Sequence, residues 1–223
     1  MFLVKTTFQG RVNEINLYFT FINSYIPTNT DEDLNRILKS NMILMLYNLV
    51  ESSISNAIEE IHNHIHVNST SFDILKGQLK AVIIKHLKKR NPKEFVDSVT
   101  DIAIDIIKRS FNRETMFNGN VDAQRIRDLS KEYGFSFNTT YAQTKNGASL
   151  LTIKSKRNDL AHGTFSFVEV GKEYSPQDIE KMKNETIHYL TEIINNIESY
   201  LNNQDYIQVL TTTTTATNIA EAV

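Results

Sequence analysis

Glycine and proline are scarce in this sequence, with 7 Gly and 3 Pro among 223 residues. Average usage, about 12% combined, would supply more than twice as many. A chain with so few sharp-turn residues favours long helices joined by few loops. It argues against an all-β sandwich and against glycine-rich phosphate-binding folds. Two prolines sit where a helix begins. Ser175-Pro176-Gln177-Asp178 places a hydroxyl at the N-cap, proline at the first helical position and a carboxylate at the third. Asn91-Pro92-Lys93-Glu94 follows the same logic.

Apolar spacing divides the chain into about seven helices. The first covers about Thr6 to Tyr25 and the second about Asp31 to Ile65. The third covers Phe72 to Lys89 and the fourth Pro92 to Phe111. A fifth runs from Val121 to Tyr133 and is closed by Gly134. A polar loop or short extended stretch spans Phe135 to Thr144. The sixth helix runs from Ala148 to Ala161. Residues 163–174 alternate weakly and read as a loop or short hairpin. The seventh runs from Pro176 to about Tyr206, with apolar residues at three- and four-residue steps. The expected architecture is an all-α, up-and-down bundle in one domain, residues 1–207. Residues 208–223, with five threonines at Thr211 to Thr215, read as a disordered low-complexity tail.

Cysteine is absent, which excludes disulfides, thiolate nucleophiles and zinc-thiolate sites. The first residues lack the apolar core of a signal peptide, and the longest apolar run is far short of a membrane span. A soluble cytoplasmic protein with no membrane partner is expected. Lysine and arginine total 24 against 26 aspartate and glutamate, a net charge of −2. Any nucleic-acid role must therefore rest on a local patch.

One such patch is Lys154-Ser155-Lys156-Arg157-Asn158-Asp159-Leu160-Ala161-His162-Gly163. Imidazole can take or give a proton near neutrality. A guanidinium can fork onto phosphate oxygens and stabilise a phosphorane. RNA supplies its own nucleophile, the 2′-hydroxyl, so such a site requires no metal or other cofactor. The alternative is an exposed helix end, where basic residues are favoured by the helix dipole. Positions five apart on an ideal helix lie about 140° apart, so Arg157 and His162 do not converge on one regular helix. Either the helix distorts near Gly163, or a second copy completes the site.

The wording of this segment resembles the signature of the HEPN superfamily, in which an arginine and a polar residue precede a histidine. Asn158 fills the polar position. Leu46-Tyr47-Asn48-Leu49-Val50-Glu51-Ser52-Ser53-Ile54 resembles the early-helix block of the MAE-type branch. Phe117-Asn118-Gly119-Asn120-Val121-Asp122 followed by Ile126-Arg127 resembles a second block. Gly163 to Ser175 resembles the stretch after the motif. The resemblance covers about Leu34 to Tyr200. It implies a HEPN-type bundle that dimerises so that two Arg-His motifs face one cleft. It also implies metal-independent endoribonuclease activity leaving a 2′,3′-cyclic phosphate. The implied setting is toxin–antitoxin or phage defence, with an antitoxin or other neutralising partner protein. Many such toxins carry a modifiable tyrosine two residues after the histidine, where this chain has Thr164.

On that resemblance His162 is the general base or acid and Arg157 holds the scissile phosphate. Asn158 orients His162 or contacts RNA. Lys154 and Lys156 add positive charge for RNA. Glu51 either faces the cleft or is an exposed or capping carboxylate. Two further readings stay open: a catalytically silent module that binds RNA, nucleotide or a partner protein, and a helical scaffold. Elsewhere, His62 and His66 share a helix face. A polar helix end explains them better than a metal site, since no third aligned ligand is evident. The basic run Lys85 to Arg90 with Lys93 reads first as a solvated helix end and second as an RNA-backbone contact.

Overall fold

Asp31 opens the longest element, its carboxylate accepting the backbone N–H of Leu34 at 3.0 Å. From there α2 (Glu32–Val67) runs for 36 residues, about 54 Å at 1.5 Å per residue. Its buried positions include Met42, Ile43, Leu46, Tyr47, Leu49, Val50, Ile54, Ile58, Ile61 and Ile65, more than one stripe can hold. A helix apolar on several faces must be covered on several sides. Ser52, Ser53, Ser55 and Ala57, all buried, let its neighbours approach closely.

The computed structural model describes residues 1–28, 30–88, 110–111, 117 and 119–208. Against α2 pack α1 (Phe2–Tyr25), through Val4, Phe8, Val12, Ile15 and Ile22, and α8 (Pro176–Asn202), through Ile179, Leu190, Ile193 and Ile197. Between these lie α3 (Gly77–Lys88), α4 (Ala123–Tyr133), the single turn α5 (Tyr141–Thr144), α6 (Ala148–Ala161) and the short α7 (Phe167–Lys172). No strand occurs among the described residues; one antiparallel bridge joins Leu75 and Ile207. The fold is thus an all-α bundle. No described helix is long and apolar enough to cross a membrane.

Six of the seven expected helices appear. The fourth, with Pro92, lies outside the described residues, as do the threonine-rich stretch and residues 89–93 of the basic run. Pro176 opens α8 as expected, with a capping box between Ser175 and Asp178. Two short helices were not expected. Residues 163–174 hold α7 rather than a hairpin, because Ser166 and Glu169 form a capping box. The backbone of α7 then presses on α2: a Cβ at Gly171 would lie 1.9 Å from the Arg36 carbonyl oxygen. Ser40 Oγ donates to the Phe167 carbonyl at 2.6 Å and fixes the same contact.

Two expected boundaries shift for one reason. The third helix starts at Gly77, not Phe72, and the last ends at Asn202, not Tyr206. Gln204 turns the chain with φ +55°, and Tyr206 folds back into the core. Lys76 N–H then donates to the Tyr206 carbonyl, and Gln208 N–H to the Ile74 carbonyl, both at 2.8 Å. The backbone that would have extended each helix bonds across instead.

Helix starts also set the acid response. The hydroxyl and backbone of Ser175 hold Asp178 below the usual carboxylate range, and the Ser166 backbone does so for Glu169. Burial pushes Asp122 up, but Lys154 and the N–H groups of Arg125 and Gln124 outweigh it and leave it lowered. A carboxyl depressed in the folded state stabilises fully above its unfolded value, about 4. That stability disappears as pH falls through the folded values. Melting temperature should hold from pH 7 to 5 and drop below about pH 4. Asp122→Asn should lower it at pH 7 and flatten part of that drop in a pH series of thermal melts.

Packing supplies a paired test. Gly171→Ala forces α7 off α2 and should cost about 1–3 kcal/mol. Gly10, in α1, has nothing within 4 Å of an added Cβ, so Gly10→Ala should gain about 0.4–1 kcal/mol. Denaturant midpoints of the two variants check both signs.

Candidate functional site

Helix α6 carries the expected site residues, and both its ends are fixed by left-handed backbone. Lys145, Asn146 and Gly147 precede it at φ +47°, +54° and +76°. A Cβ at Gly147 would meet Ala123 at 2.8 Å and the Tyr189 ring at 3.0 Å, so this turn is wedged between α4 and α8. Ser149 Oγ donates to the buried Glu185 carboxylate at 2.6 Å and ties the first turn to α8. Leu150 and Ile153 face the core.

The far end closes as a Schellman motif. Gly163 sits at φ +67°; its N–H donates to the Leu160 carbonyl, and Thr164 N–H donates to the Asp159 carbonyl at 2.9 Å. His162 keeps helical bonding, its N–H donating to the Asn158 carbonyl at 3.0 Å. The helix is therefore regular up to the histidine, and the distortion near Gly163 that would have brought Arg157 and His162 together does not occur. His162 is exposed, and its imidazole has no hydrogen-bond partner among the described residues.

Arg157 turns the other way. Its guanidinium lies 4.7 Å from the centroid of the Tyr47 ring, on α2. One terminal nitrogen donates to Asn158 Oδ1 at 3.0 Å and to the Gly119 carbonyl at 3.4 Å. Gly119 has φ +77°, and its missing Cβ would sit 3.0 Å from both terminal nitrogens. Asn158 also donates from Nδ2 to Asn120 Oδ1 at 3.2 Å. Asn158 thus braces the arginine and the 119–120 turn rather than the imidazole.

Tyr47 is 1% exposed. Burial first, then the Glu51 carboxylate, push its hydroxyl up to about 12, against smaller lowering effects of the Val121 N–H and Arg157. The phenol stays neutral and offers its π face to the cation. Glu51, one turn further along α2, hydrogen-bonds the same phenol. It therefore sits beside the site, acting on the residue under Arg157.

The two lysines are engaged. Lys154 pairs with Asp122, the N-cap of α4. Lys156 pairs with Glu173 at 2.7 Å and Asp159 at 3.8 Å, and the Glu173 hydrogen bond raises its pKa. No carboxylate comes within ion-pair reach of Arg157 among the described residues. Among the basic residues of α6, the cation left for an anionic ligand is Arg157.

Sequence reasoning quoted Tyr47, Gly119 and Asn120 but gave them no role. Only their places within the early-helix and Phe117–Asp122 blocks marked them. The other candidates are held by packing and by partners of their own, except that His66 Nδ1 is buried with no hydrogen-bond partner among the described residues. His62 is buried, with Nε2 2.8 Å from the Tyr133 hydroxyl and Nδ1 3.3 Å from Ser110 Oγ. His64 meets the Tyr206 ring edge-on. Within the basic run, Lys85 pairs with Glu132 at 2.9 Å and His86 is buried.

A family model described as HEPN_MAE_28990-like HEPN matches residues 3–206. No curated protein and no solved structure matches the chain. The family match takes in every helix described above except for Phe2, and ends where Tyr206 folds back onto Lys76. The chain belongs to the HEPN_MAE_28990-like HEPN family.

Proposed function

We propose that this chain is a metal-independent endoribonuclease acting as a homodimer, with Arg157 and His162 of the two copies sharing one cleft. The observation that carries this reading is Arg157 itself, a guanidinium without a carboxylate partner, held over Tyr47 at one side of α6 while His162 stands free at its end. Arg157 holds the scissile phosphate and stabilises the charge that builds in the phosphorane. His162 takes the proton of the 2′-hydroxyl as its oxygen attacks phosphorus. The bond to the 5′-oxygen breaks and that oxygen takes a proton from water, giving a 2′,3′-cyclic phosphate and a 5′-hydroxyl. Asn158 holds the guanidinium in place. The setting is a toxin or phage-defence effector, restrained by a neutralising partner protein.

A second reading has its own support. Lys154 and Lys156, the expected RNA contacts, are neutralised by Asp122, Glu173 and Asp159. A site poor in free positive charge also suits a silent module that binds RNA, nucleotide or a partner protein without turnover.

Incubation with RNA in EDTA separates the two. Wild type should cleave without metal, and His162→Ala and Arg157→Ala should each lose about 10²–10³-fold. Equal cleavage by wild type and His162→Ala removes the histidine role, and dependence on a divalent metal removes the mechanism. Mixing the two inactive variants tests the shared cleft. A heterodimer pairing the arginine of one copy with the histidine of the other should regain activity; a mixture that stays inactive places both groups in one copy.

Removing the support of Arg157 gives a graded series. Tyr47→Phe keeps the π face and should change kcat/KM little. Tyr47→Leu loses a cation–π contact of about 0.5–2 kcal/mol, or roughly 2- to 30-fold. Gly119→Ala crowds the guanidinium and should lower kcat/KM about tenfold or more, as displaced positioning groups do. Thermal melts check that each variant folds.

A further inference from the structure

A second arginine without a carboxylate partner among the described residues lies on α4. Arg127, on α4, borders a hollow of 460 Å³ whose other walls are Phe137, Asn138, Thr139, Asn146 and Tyr189. Its guanidinium donates only to Gln124 Oε1, at 3.3–3.4 Å, and no carboxylate reaches it among the described residues. Tyr189 is 1% exposed, and its hydroxyl has no hydrogen-bond partner. A buried polar group left unpaired is costly, and a ligand supplying an acceptor or donor there would relieve it. Burial pushes this phenol up to about 12, so it keeps its proton for donation.

The rim is built to hold something flat and polar. Phe137 is 38% exposed. The side-chain amides of Asn138 and Asn146 are unengaged among the described residues. The loop carrying them is stiff. Asn196 Nδ2 donates to the Asn138 carbonyl at 2.8 Å, and Thr140 N–H donates to Glu192 Oε2 at 2.7 Å. Asn146 is held at φ +54° by its N–H bond to Thr144 Oγ1. A positive charge, an aromatic face and paired amide donors and acceptors match a nucleotide: phosphate, π face and base edge.

The hollow adjoins the start of the helix that carries Arg157. Gly147, beneath Tyr189, precedes the first residue of α6, and Arg157 lies ten residues along that helix, about 15 Å away. We propose that the hollow is a base-reading subsite for single-stranded RNA, in which one unpaired base stacks on Phe137 and meets Tyr189 and Asn146, Arg127 holds its phosphate, and the scissile phosphate lies on Arg157. This rests on the ribonuclease reading above and adds to it a source of sequence preference remote from the cleaved bond.

The test uses short unstructured RNAs randomised around the cleaved bond, in EDTA, with wild type, Tyr189→Phe and Arg127→Ala. Fully 2′-O-methylated copies of the same RNAs report binding without cleavage, and free mononucleotides report the pocket alone. Wild type should prefer one base at a fixed position displaced from the cleaved bond, by about tenfold or more, as a polar base-reading contact allows. Tyr189→Phe should flatten that preference at least about fivefold while keeping or raising the melting temperature, since it removes an unpartnered buried hydroxyl. Arg127→Ala should weaken binding of all sequences alike. A preference unchanged in Tyr189→Phe, or no displaced preference in wild type, overturns the subsite and leaves the ribonuclease reading standing. Wild type that neither cleaves nor binds the RNAs overturns both. Tyr189-dependent retention of mononucleotides without binding of the RNAs makes this a free-nucleotide pocket and overturns the RNA subsite.

Discussion

Burial of α2 on several sides is the constraint on which the rest of this structure depends. Helices α1, α6, α7 and α8 all pack on it. Each burying contact contributes on the order of 1.5–3 kcal/mol per large apolar side chain, so the position of α2 is fixed many times over. Tyr47 and Glu51 lie within that buried run. The surface that receives Arg157 is therefore part of the core itself, and the guanidinium is seated against a wall that cannot shift without disturbing its neighbours. The 119–120 turn closes the other side, with a glycine where a Cβ would touch both terminal nitrogens.

Electrostatics then sort the cations by role. Lys154 and Lys156 are each held by a carboxylate on a neighbouring segment. Lys85 joins α3 to Glu132 of α4, and Lys5 joins α1 to Glu198 of α8. These pairs stitch helices together. In contrast, Arg157 is held by a ring, a carbonyl and an amide, none of which cancels its charge. A cation–π seat orients a guanidinium while leaving its edge available to an anion. With a net charge of −2 over the chain, local arrangement of this kind must supply any attraction for phosphate.

How much of this the sequence discloses depends on the range of the interaction. Helix α8 was legible because its signals are local: Ser175, Pro176 and Asp178 within four residues, then apolar positions at helical steps. The capping box that starts α7 was equally local, in Ser166 and Glu169, but the alternation of Phe165, Phe167, Val168 and Val170 masked it. The ends at Gly77 and Asn202 were not legible, because the backbone bonds that fix them join positions 76 and 206, and 74 and 208. The same holds within the site. Arg157 and His162 stood out by type and spacing, whereas the seat of Arg157 on Tyr47 spans 110 positions and has no periodic trace. Lys154 and Lys156 looked free in sequence because their carboxylate partners Asp122 and Glu173 come from other segments.

Regular helix geometry carries the last step. Two side chains five residues apart on an unbroken helix point about 140° apart, and α6 is unbroken through His162 because Gly163 acts only after it, as the left-handed residue of the closing motif. Within one copy, Arg157 is drawn inward to Tyr47 while His162 projects outward without a partner. For the two to act on one phosphodiester, a phosphate must reach the open edge of the guanidinium while an imidazole approaches from outside the helix that bears it. In the homodimer proposed above, a second copy would bring its own imidazole from that direction. The same straight helix that keeps the two groups apart in one chain is what makes the proposed site depend on a second copy.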